Sequence, residues 1–232
     1  MSFGTKLKLN FILGILFLLV NQNATVATKI NSVKNDNRKN DNVENNNAKS
    51  NTEEVIIDSD MTFEEAIFGS NAPQNILAEQ VLLNVEYYSF DNKLHRGQVV
   101  VNKAVADDIV EIFEIIKQTK FPLAKVIPIV KYGWSDSASM ADNNTSAFNY
   151  RVVAGTKKLS NHAFGKAIDF NPMQNPYRSK SGRLSPKGSS YNPKVAGTLT
   201  QDNVIVKKMI EKGWTWGGNF KTIKDWHHFD KK

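Results

Sequence analysis

The sequence predicts an α+β fold, a small antiparallel sheet with flanking helices, on three observations. Two segments carry apolar residues at helical spacing, and several shorter runs are rich in β-forming residues. These elements follow one another in no strand–helix–strand rhythm, which argues against a parallel doubly wound sheet. No internal repeat is present, so a solenoid or propeller is excluded.

Taken in order, the first structured signal is Thr62 with Glu65, a capping box that opens a short helix ending at Gly69. Val81 to Phe90 reads as a strand and Gln98 to Val101 as another. Val105, Ile109, Ile112, Phe113 and Ile116 fall on one face of a helix over about 103–119, which Pro122 stops. Val126 to Val130 and Ala167 to Asn171 read as further strands. Residues 172–199, rich in Pro, Gly, Ser, Lys and Asn, read as a long loop, and long ordered loops are usually functional. A second helix is expected over about 202–212, with Val204, Ile205, Met209 and Ile210 apolar and Gly213 just beyond its end. The aromatic stretch Trp214 to Phe229 is expected to be strand-like. Its tryptophans suit a core and a substrate cleft equally.

The N-terminal quarter has a different character. Lys6 and Lys8 precede the apolar run Phe11 to Val20, and the small residues Ala24, Thr25 and Ala27 follow. That is the pattern of a secretory signal over 1–27, cleaved after Ala27, and the run is short for a membrane span. An uncleaved anchor is the alternative; after cleavage no stable membrane insertion is expected. Residues 28–54 form an Asn-rich linker with almost nothing apolar to bury, so disorder is expected there. The folded domain is expected over 55–232.

The chain of 232 residues carries 30 Lys and Arg against 23 Asp and Glu, a net charge of +7. This favours an anionic partner such as a cell wall, or serves solubility alone. No basic run interleaved with stacking aromatics occurs, and no nucleic-acid partner is expected. The absence of cysteine excludes disulfides, thiolate catalysis and a Cys-based metal site. Any metal must be held by His, Asp or Glu.

Two clusters supply such groups. In Ser160 to Asp169, a strand at 167–171 would bury Ile168 and Phe170 and aim Asp169 the other way. Gly165 permits a turn that could bring His162 back toward Asp169. In Asp225-Trp226-His227-His228-Phe229, a third ligand and a second carboxylate are available. Three ligands with an open position suit a catalytic zinc ion, and a free carboxylate beside it suits a general base. The spacing alone does not decide which residues serve.

Ser160, His162, Gly165, Ala167 and Asp169 fill the pattern S-x-H-x-x-G-x-A-x-D, and Asp225 with His228 fills D-x-x-H. Trp214-Thr215-Trp216-Gly217-Gly218 and the arginine-bearing segment 144–151 complete a resemblance to peptidase family M15. That family contains D-alanyl-D-alanine carboxypeptidases and, in its endolysin-like branch, L-alanyl-D-glutamate endopeptidases. The resemblance runs from about Val81 to the C-terminus. It implies a Hedgehog/DD-peptidase-like zinc peptidase fold, with Zn2+ on His162, Asp169 and His228 and Asp225 as general base and then acid. It implies peptidoglycan stem peptides as substrate and an extracytoplasmic location. His227 is expected near the site or at the surface, and His95 is expected to be structural. Arg151 is a candidate for holding a substrate carboxylate or the oxyanion, or for a structural ion pair. Ser160 either binds substrate or orders the turn before His162. The competing functions are a zinc-containing binding module of Hedgehog type without peptidase activity, and another cell-wall amidase. Oligomeric state is not legible.

Overall fold

The computed structural model describes residues 54–232, so the signal and linker expected over 1–27 and 28–54 lie outside the described residues, save Glu54. The chain is mixed α and β, with few helices and small sheets. Its elements in order are β1 (Ile56–Ile57), α1 (Phe63–Ala66), α2 (Gln74–Leu77), β2 (Gln80–Tyr88), β3 (Leu94–Asn102), α3 (Ala106–Gln118), β4 (Lys125–Val126), α4 (Asp136–Ala141) and β5 (Asn144–Thr145). They continue with β6 (Ala167–Asp169), β7 (Tyr177–Arg178), β8 (Leu184–Ser185), α5 (Val204–Glu211), β9 (Thr215–Trp216), β10 (Lys224–Asp225) and β11 (His228–Asp230). Instead of one sheet there are several small ones, ordered β1-β3-β2, β10-β7-β8 and β6-β11-β9, with β4 and β5 paired in parallel. No helix among the described residues is long and apolar enough to cross a membrane.

The longest ladder is the β2–β3 hairpin, in register from Gln80↔Asn102 to Tyr88↔Leu94. Its inner face meets α3, whose Ile109, Ile112, Phe113 and Ile116 are all buried, as the apolar periodicity requires. Ile168, Phe170, Trp214, Trp216 and Phe229 join the same core, which therefore lies directly under the sheet β6-β11-β9. Thr62 and Glu65 form the expected capping box.

Three expectations need correction. The strand over 126–130 is confined to Lys125–Val126, because Pro128 has no N–H to give a ladder and the chain turns into a 3-10 turn over Ile129–Tyr132. The strand over 167–171 stops at Asp169, and Asn171 adopts a positive φ of 44°. The long loop 172–199 is not irregular throughout: it contains the β7–β8 hairpin, which pairs with β10. Its base is closed by two fully buried asparagines. Asn171 Nδ2 and Asn175 Nδ2 both donate to Gly197 O (3.1 and 2.9 Å), and Leu199 N–H donates to Asn175 Oδ1 (2.7 Å).

Candidate metal centre

His162 sits on a 3-10 turn, Asn161–Phe164. Ser160 caps that turn, its hydroxyl accepting from His162 N–H at 3.3 Å, which is the turn-ordering role. Gly165 closes it with φ 66°, and a Cβ there would lie 2.0 Å from Gln80 Oε1 and 2.6 Å from Asn102 N. Both the positive φ and the packing against the β2–β3 hairpin thus require glycine. Asp169 ends β6 and His228 begins β11, and the two are direct partners in the antiparallel ladder. Partners across such a ladder project to the same face. Ile168 and Phe229 are likewise paired, and both are fully buried on the core side.

The result is a compact triangle of donors. His162 Nε2 lies 3.2 Å from His228 Nδ1 and 3.3 Å from Asp169 Oδ2, and His228 Nδ1 lies 3.0 Å from Asp169 Oδ1. For a tetrahedral zinc with ligands at about 2.0–2.1 Å, neighbouring donors should be roughly 3.3–3.5 Å apart. The separations of 3.0–3.3 Å, measured to Oδ2 of Asp169 from His162 and to Oδ1 from His228, are close to that value. The outer atoms fix the rings. His162 Nδ1–H donates to Ala147 O (2.6 Å), which leaves Nε2 as the atom facing the triangle. His228 Nε2 faces Asp230 Oδ2 at 3.6 Å, and Asn161 Nδ2 donates to that carboxylate oxygen at 2.7 Å.

Asp225, on β10, stands beside this triangle. Its Oδ1 is buried and carries no hydrogen bond among the described residues. It lies 2.8 Å from His227 Nε2, but without the alignment a hydrogen bond needs. His227 is not at the surface. It is buried, its Nδ1–H donates to Asn175 O (2.7 Å), and its Nε2 lies 4.0 Å from Asp169 Oδ2. The chain turns at Trp226 and His227, so Asp225, His227 and His228 all reach one region. Sequence reasoning left the place of His227 open, because its partner Asn175 is 52 positions away.

The charges report what the site wants. Burial disfavours a proton on His228, but hydrogen bonds to Asp169 and Asp230 prevail and push it up to about 10. His227 is raised to about 9, burial again being outweighed, here by Asp225 and Asp169. Burial would raise Asp169, yet His162 and His227 hold it well below the usual carboxylate range. A cluster that retains protons against burial in this way offers a strong field for a cation. With two imidazoles and one carboxylate converging, the residues present fit a zinc ion with an open position.

Arg151 Nη2 pairs with Asp136 Oδ1 at 3.0 Å, its Nε is buried without a hydrogen-bond partner, and its carbonyl accepts from Ser160 N–H (3.0 Å) just before the His162 turn. His95 contacts Asp58 at 2.9 Å and Asp91 at 3.2 Å and stacks on Tyr87, a set of contacts that ties β1 to the hairpin. Trp214 and Trp216 are core residues, whereas Trp226 is half-buried and stacks on Tyr191.

Residues 154–231, roughly a third of the chain, match the protein-family model described as D-alanyl-D-alanine carboxypeptidase. The matched segment holds His162, Asp169, Asp225 and His228 and leaves out Arg151. No curated protein and no solved structure matches the chain.

Proposed function

We propose that this chain is a zinc metallopeptidase of the M15 type that hydrolyses peptide bonds in peptidoglycan stem peptides, a reading supported by the family match over residues 154–231. The observation that carries the reading is the His162–Asp169–His228 triangle, whose donor atoms all lie within 4.8 Å of one another inside the matched segment. The Hedgehog/DD-peptidase-like fold and export past the cytoplasmic membrane are parts of the same proposal.

In this reading His162 Nε2, one Asp169 oxygen and His228 Nδ1 hold the ion. Zinc would supply Lewis acidity, polarising the scissile carbonyl and making water a nucleophile near neutral pH. The remaining chemistry belongs to side chains. Asp225 accepts the proton of the attacking water on its carboxylate and later returns that proton to the leaving amine. His227 stands against Asp225 on the side away from solvent, so proton traffic at Asp225 is directed toward substrate. The presence of a carboxylate at position 225, paired with His227 at 2.8 Å, is what supports an enzyme over a Hedgehog-like binding module.

Digestion of purified muropeptides by the zinc-loaded protein, read by mass spectrometry, tests the proposal. Loss of one terminal D-Ala identifies a carboxypeptidase, and a cut after L-Ala identifies an endopeptidase. Asp225→Asn should keep about one zinc and its fold while turnover falls about 10²–10⁴-fold. Undiminished turnover removes Asp225 from the mechanism, and loss of zinc makes it a ligand. No hydrolysis of any wall peptide by the unaltered protein would return the binding module to first place.

A further inference from the structure

The hairpin β7–β8 is joined to the strand that carries Asp225, and the register is specific. In the sheet β10-β7-β8, Asp225 is the direct partner of Tyr177, and Tyr177 is the direct partner of Ser185. Cross-strand partners project to the same face of an antiparallel sheet. Asp225, Tyr177 and Ser185 therefore form one row on one face, spanning two strand spacings, or about 10 Å.

The opposite face is distinguishable. Arg178 is the partner of Lys224, two like charges side by side, which is unfavourable unless each finds its own outlet. Lys224 Nζ donates to Gly218 O at 2.9 Å, and the Arg178 guanidinium lies over the Trp226 ring at 5.5 Å. That face is committed to internal contacts. On the Asp225 face, the Tyr177 and Ser185 hydroxyls have no hydrogen-bond partner among the described residues, and both residues are half-buried. A phenol reaches about twice as far from the backbone as an aspartate carboxylate. Beside Asp225 on the same face, the Tyr177 hydroxyl thus reaches further from the sheet than the carboxylate does.

We infer that Tyr177 is a substrate-contacting residue, its phenol O–H donating to the backbone of the bound peptide on the leaving-amine side of the scissile bond, with Ser185 continuing the same row outward. The inference rests on the peptidase reading and adds to it the arm that holds the departing half of the substrate. Asp225 returns its proton to the leaving amine, so the peptide beyond that amine must pass the neighbouring strand, and Tyr177 is what that strand presents.

The test compares Tyr177→Phe with the parent protein, both zinc-loaded, using a synthetic stem pentapeptide ending in D-Ala-D-Ala. Kinetic constants are measured in the active background, and the peptide's Kd is measured by calorimetry in the Asp225→Asn background, where turnover is about 10²–10⁴-fold slower. Phe keeps the ring and removes one hydroxyl. KM and Kd should both rise about 2–10-fold, the worth of one neutral hydrogen bond, with kcat, zinc content and melting temperature unchanged. Arg178→Ala, on the other face, should leave Kd as it was. Equal Kd and KM in Tyr177→Phe and parent, with turnover lowered in Asp225→Asn as predicted, overturns the role of Tyr177 and leaves the peptidase reading standing. A parent that neither binds nor cuts the pentapeptide overturns both.

Discussion

Gly217 lies behind the proposed base, and adding one methyl group there displaces that base without touching any metal ligand. A Cβ built on Gly217 would fall 2.4 Å from Asp225 O and 2.8 Å from Asp225 Cβ. Ordinary contact begins at 3.4 Å, so the overlaps are 3.4 − 2.4 = 1.0 Å and 3.4 − 2.8 = 0.6 Å. The obstructing atoms are backbone and the first side-chain carbon, so a rotamer change cannot relieve them. Strand β10 must move by about 0.6–1 Å, and a misplacement of that order at a reacting group costs about 10²-fold in rate. Overpacking should cost about 1–3 kcal/mol of stability, or roughly 2–12 °C in melting temperature for a domain of this size. Gly217→Ala should therefore retain one zinc by elemental analysis, melt a few degrees lower, and lose about 10²-fold in kcat/KM on a stem pentapeptide. An Ala variant with parental kcat/KM would show that Asp225 does not need its present position, and a variant that loses zinc would show that Gly217 supports the ligands instead.

His162→Ala removes one corner of the donor triangle and should lose both zinc and turnover; full zinc occupancy by elemental analysis would sink the ligand assignment. The pH dependence of the metal-free protein follows from His227 and His228, whose folded pKa values are raised. Their stabilising contribution is complete below about pH 6.5 and is lost as pH rises through about 9 to 10. Melting of the metal-free protein should accordingly fall from pH 6.5 to 10. The added stability from zinc should grow over the same range, because binding requires His228 to be deprotonated. A flat profile for the metal-free protein would contradict the proton-retaining cluster.

The metal candidates were legible because their positions are local: a capped turn, a glycine and a short strand bring His162 toward Asp169 within ten residues. The second cluster was legible as a motif, but its geometry was not. That His228 faces Asp169 depends on the register of β11 against β6, and that His227 is buried depends on a carbonyl in the distant 172–199 segment. The apolar faces of α3 and α5 were readable from their period. The β7–β8 hairpin was not, because two-residue strands are too short to show a period of two, and their Pro, Gly and Ser neighbours read as loop. Val126 to Val130 misled in the other direction, where β-forming side chains outweighed the missing N–H of Pro128.

The two asparagine latches divide the C-terminal half into parts that can change at different rates. Asn171 and Asn175 hold Gly197 and Leu199 with their own side-chain amides, so the neck of the excursion between them is closed independently of what the excursion contains. Asn175 also accepts from His227, which puts the neck and the proton-handling end of the centre on one residue. The hairpin's outer turn, over residues 179–183, can therefore be lengthened or rebuilt for little more than loop-closure entropy, about 0.6 kcal/mol for each doubling. The outer turn is thus mechanically separable from the His162–Asp169–His228 cluster, and a change of its length leaves the neck and the cluster in place.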